Sequence, residues 1–96
     1  MNADLTGAFN RLEKLMSFPT RFPIKVMGER HERFSAAIAA LVRRHVPDFD
    51  PDTLTETVSR KGTYVSLTIT VEVDSREQLQ SLYEALASHQ MVRIVL

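Results

Sequence analysis

The chain contains no cysteine and has no excess of either charge. Without cysteine there can be no disulfide framework, no thiol nucleophile and no thiolate metal site. Twelve basic residues cancel twelve acidic ones, so the global field that draws proteins onto nucleic acid or an anionic membrane is missing. No apolar run approaches the ~20 residues that cross a bilayer. Met1 to Leu5 shows no basic stretch leading into an apolar one, so no signal peptide is legible and a cytoplasmic protein is expected. Glycine is scarce, with three residues in all, and no glycine-rich phosphate loop is present.

The chain does have a ten-residue run of strict alternation, Tyr64 to Val73. Val65, Leu67, Ile69, Val71 and Val73 fall on one side; Tyr64, Ser66, Thr68, Thr70 and Glu72 fall on the other. Period-two alternation in β-branched residues predicts a strand with one face on a core. The hydroxyl-lined face needs no cover, which points to an antiparallel sheet with helices on one side. Ninety-six residues suffice for one domain that buries ~65% of its unfolded surface.

Leu5, Phe9, Leu12 and Met16 repeat at helical spacing and predict a short amphipathic helix over 3–16, closed by Ser17-Phe18-Pro19. Residues 1–20 therefore read as a helical extension and 21–96 as the single domain. Phe22 to Gly28 alternates as a first strand with Ile24 and Val26 inward. Pro23 must sit where an N–H is not needed. Phe34, Ala37, Ile38, Leu41 and Val42 give a helix from about Arg30 to the break at Pro47. Leu54 to Ser59 is a weak edge strand, and Arg60-Lys61-Gly62-Thr63 turns into the alternating strand. Ser75 and Gln78 form a capping box for a second helix with Leu79, Leu82 and Leu86 inward. Met91 to Leu96 is the last strand.

The order β-α-β-β-α-β predicts an α+β, ferredoxin-like two-layer sandwich. Right-handed crossovers give a four-stranded antiparallel sheet of order 4-1-3-2. One sheet face stays open and should show Lys25, Met27, Tyr64, Ser66, Thr68, Thr70, Glu72, Arg93 and Val95. Lys25, Tyr64 and Arg93 then make a cluster suited to a carboxylate-bearing partner. The two edge strands carry unpaired backbone groups that offer a route to a homodimer.

This fold hosts many functions, so function has to come from a site. RNA-binding domains of the same topology stack bases on aromatic residues of the central strands. Here Tyr64 alone stands in that position, and nucleic acid is not expected as a partner. Asp48, Asp50 and Asp52 could open a calcium loop, but Thr53 and Ser59 occupy the positions needing glycine and glutamate, so no metal is expected. His31, His45 and His89 are scattered without ligand spacing. Neither a catalytic constellation nor a cofactor motif is found. Gly28, before Glu29, Arg30 and His31, marks a candidate anion pocket at the start of the first helix, or simply a turn that needs glycine.

Phe18-Pro19-Thr20-Arg21-Phe22-Pro23-Ile24-Lys25-Val26-Met27-Gly28 resembles the opening signature of the YbeD-like family of small bacterial proteins. Arg44-His45 before Pro47, Ser59 to Ser66, Glu77-Gln78-Leu79 with Leu82-Tyr83, and Val92 to Leu96 agree in order. The resemblance spans residues 17–96. It implies a fold similar to ACT regulatory domains, which bind amino acids at a domain interface where the first strand meets the first helix. That region corresponds to Met27, Gly28, Glu29 and Arg30. The fuller glycine-proline loop of ligand-binding ACT domains is absent. The resemblance also suggests a regulatory link to lipoate attachment. A non-enzymatic regulatory module binding a small metabolite is the expectation, with a protein-interaction adaptor as the alternative.

Overall fold

Strict alternation places β3 (Tyr64–Val73) against the core, with all five of its inward aliphatic side chains buried. Each contributes ~1.5–3 kcal/mol on full burial. The computed structural model describes residues 17–96; the helix expected over 3–16 lies outside the described residues. The other elements are β1 (Thr20–Glu29), α1 (Phe34–His45), a 3-10 turn (Pro51–Thr53), β2 (Thr55–Val58), α2 (Arg76–Ser88) and β4 (Val92–Val95). The sheet order is β2-β3-β1-β4, antiparallel throughout. This is the expected 4-1-3-2 order read from the other edge, and the fold is the ferredoxin-like sandwich.

Both helices lie on one face of the sheet. Phe34, Ile38, Leu41 and Val42 of α1 and Leu79, Leu82 and Leu86 of α2 are buried against Ile24, Val26 and the inward side of β3. Lys25 directs its N–H to Leu96 across the β4 edge. Pro23, two residues earlier on the same edge, lies where β4 has ended, so its missing N–H leaves no ladder bond unmade.

Helix α1 begins at Phe34, later than the expected Arg30. Residues 30–33 form a turn instead, in which His31 Nδ1 accepts the Arg33 N–H at 3.0 Å and the His31 carbonyl accepts the Phe34 N–H. At α2 the cap is as the sequence indicates, since Ser75 Oγ accepts the Gln78 N–H at 3.1 Å. Gln78 Oε1 reaches one residue further back, to the Asp74 N–H, and its Nε2 donates to the His45 carbonyl at 2.9 Å. One side chain thus caps α2 and satisfies a terminal carbonyl of α1. Gly62 turns the β2–β3 hairpin at φ 77°. No helix among the described residues is long and apolar enough to cross a membrane.

Candidate functional site

Pairing between β1 and β4 is irregular, and the irregularity builds the site. Met27 faces Ile94 and Gly28 faces Val92, so Arg93 is an extra residue in β4, a β-bulge. Beyond the bulge every side chain changes face, because strand parity is two. Val95, expected on the open face, packs against the core instead, while Ile94 and Leu96 stand exposed at 48% and 65%. Arg93 itself stays outside and pairs through Nη2 with Glu29 Oε2.

Gly28 does not have the role its position suggested. It lies within β1, is buried, and does not take a positive φ. It is not the strand-to-helix turn, which lies further on, and no helix begins beside it. A Cβ there would press into the Met91 carbonyl oxygen and approach Phe34 Cζ to 2.9 Å. The residue is glycine because β4 and α1 close over it.

Two depressions meet at Arg93. One, of 290 Å³, is lined by Glu29, Arg30, His31, Gln90, Met91 and Arg93. The other, of 260 Å³ on the open face, is lined by Met27, Tyr64, Arg93 and Ile94. The first is polar, with two guanidinium groups against one carboxylate; the second has apolar walls. His31, which also lines the first cleft, accepts the Arg33 N–H on Nδ1. Arg30 is anchored by its N–H to the Thr63 carbonyl at 2.9 Å.

Of the residues singled out in the sequence, Glu29, Arg30 and Arg93 come together, and Met27 and Tyr64 adjoin them. Lys25 does not join them. It is opposite Thr68 while Tyr64 is opposite Glu29, four residues or ~13 Å along the strand. Gln90, Met91 and Ile94 were not singled out as site residues in the sequence, and the bulge that turns Ile94 outward leaves no local mark. A third hollow, of 270 Å³, lies at the far end of the sheet and includes Asp48, Asp50, Glu72, Asp74 and Arg21. The Asp50 side chain there accepts the Asp52 N–H and so caps the 3-10 turn. No cluster of three metal-ligating side chains occurs among the described residues.

Residues 13–96 match the family described as protein of unknown function DUF493. The chain belongs to this family. It is 45% identical to a UPF0250 protein of Nitrosomonas europaea over 88% of this chain and 97% of the relative. Against the UPF0250 protein of Bordetella pertussis it is 48% identical, over 88% of this chain and 92% of the relative. These are the YbeD-like proteins that the signature indicated. The solution structure of protein HP0495 from H. pylori is similar in fold, with TM-score 0.70 and 13% identity over 84% of this chain and 85% of that one. Arg30, His31 and Arg93 lie within the part of the chain that matches the family.

Proposed function

We propose that this family member is a non-enzymatic binding module of the cytoplasm that takes a small metabolite where β1 meets β4 and serves a regulatory role. The observation that carries this reading is the meeting of a polar and an apolar depression at Arg93. Such a pairing of apolar wall and few convergent polar groups is the usual make-up of a ligand site. The resemblance to ACT domains points to the same end of β1, and a connection with lipoate attachment rests on that resemblance alone. A thermal-shift panel of amino acids and lipoyl compounds tests the reading, read again on Arg30→Gln. A ligand at a hundredfold excess over Kd stabilises by ~2.7 kcal/mol, or ~11–22 °C in melting temperature for a domain of this size. A panel that moves nothing, or moves wild type and variant alike, defeats it.

The exposed row of Tyr64, Ile94 and Leu96, at 46%, 48% and 65%, favours a second reading, a protein-interaction or homodimer module. Between the two edges β4 suits self-pairing better. An isologous β2 pair would set Glu56 close to its own copy, and like charges at close range repel. Sedimentation over a dilution series checks this, and a monomer throughout the micromolar range defeats it.

A further inference from the structure

Arg93 occupies a special place: it is the one side chain shared by the polar and the apolar depression. It is held there by the bulge, which keeps it outside although its neighbours have changed face. Its partner Glu29 engages a single guanidinium nitrogen, Nη2, so the two-pronged grip that arginine offers a carboxylate is not used up. Both side chains are about three-fifths exposed, at 60% and 61%. An ion pair so exposed favours its closed form by no more than about fivefold. Arg30 lines the same cleft without an ion-pair partner among the described residues.

We propose that the site takes a small monocarboxylate with an apolar body, and that Glu29 is the built-in carboxylate it displaces from Arg93. The proposal rests on the binding-module reading and narrows it to a ligand class. The incoming carboxylate takes both prongs of Arg93 within reach of Arg30, and its hydrocarbon lies along Met27, Tyr64 and Ile94. Glu29 swings into solvent at small cost. The incoming carboxylate then faces both guanidinium groups of the cleft, where Glu29 engaged Arg93 alone. A cation gains nothing here. A compact inorganic anion gains the charge but not the apolar wall.

The test is a titration followed through backbone amide NMR shifts, using hexanoate, hexylamine, hexanol and inorganic phosphate as probes. Hexanoate should move the amides of Met27, Glu29, Arg93 and Ile94, and the other three should not do so at equal concentration. Glu29→Gln should tighten hexanoate about two- to fivefold by removing its competitor. Arg93→Gln should weaken it severalfold, and Lys25→Gln, which removes a charge from the same face but away from the cleft, should leave it unchanged within about twofold. The spectra themselves show that each variant is folded. Hexanol or hexylamine binding as tightly at these amides overturns the carboxylate class but leaves the binding module standing. Phosphate matching hexanoate overturns the apolar half of the proposal. Equal hexanoate affinity in wild type and Glu29→Gln overturns the displacement. If these amides respond neither to the probes nor to any metabolite of the thermal-shift panel, the binding-module reading falls with it.

Discussion

Replacing Gly28 by alanine adds one methyl group where β1, β4 and α1 converge. The new Cβ would lie 2.9 Å from Phe34 Cζ and closer still to the Met91 carbonyl oxygen. Carbon needs about 3.5 Å from such atoms. Phe34 is buried at 1% exposure and cannot turn away without opening the core. The Met91 oxygen is backbone, so relief requires the start of β4 to move by roughly 1 Å. Overpacking of this kind costs ~1–3 kcal/mol, and the upper half applies because both neighbours are fixed. Alanine returns ~0.4–1 kcal/mol by restricting the unfolded chain. A net loss of ~2 kcal/mol is expected, or ~8–16 °C in melting temperature for a domain of this size. Urea unfolding of Gly28→Ala beside wild type measures it, with an unchanged m-value showing that the loss is one of stability. Gly62→Ala is the contrast. Its φ of 77°, with only the far end of the Arg30 side chain nearby at 3.3 Å, predicts ~1–2 kcal/mol from backbone strain alone. A Gly28→Ala protein as stable as wild type would refute the packing argument.

Burial raises the Tyr83 phenol from 10.0 to about 12. A folded-state pKa above the unfolded value means the folded chain holds its proton longer, so stability is full below pH 10 and falls as pH rises toward 12. Tyr83→Phe should flatten that alkaline decline in a pH series of urea melts, apart from a small loss at neutral pH for the 3.3 Å bond to the Leu96 carbonyl. Leu67→Ala, at a position with 0% exposure in the centre of the sheet, should cost ~2–5 kcal/mol by calorimetry, whereas Thr68→Ala on the open face should stay near 0.5 kcal/mol. Ser75→Ala should cost ~1 kcal/mol by removing the cap. Gln78→Ala should cost more than Ser75→Ala in the same assay, because it removes the bonds to both Asp74 and His45.

The architecture was legible because its signals are local. Ten alternating residues, a serine with a glutamine three places on, and leucines at helical spacing each act through neighbours in the chain. From them come the β-α-β-β-α-β order of residues 21–96, the buried side of β3, the α2 cap and the positive-φ turn at Gly62, all of which the structure bears out. The first helix was placed too early because Arg30 to Arg33 carries no cap signal. Its turn is held by a histidine nitrogen on a backbone N–H, a bond that residue spacing does not announce.

Tertiary structure alone decided the candidate site. Glu29 and Arg93 are 64 residues apart, and their pairing depends on how β4 docks on β1. Strand alternation, extended blindly from Val92, put Val95 outside and Ile94 inside; the bulge at Arg93 reverses both. The same closure explains Gly28, whose need for a missing side chain comes from Met91 and Phe34, elements that arrive from elsewhere in the chain. It also separates Lys25 from Tyr64, because the antiparallel register sets them opposite Thr68 and Glu29. Periodicity within the sequence therefore determined which elements form and which face of β1, β3 and the two helices is buried, since those depend on neighbours two to four residues away. Which side chains share a cleft depended on register between strands distant in sequence, and that is settled only when the whole sheet packs.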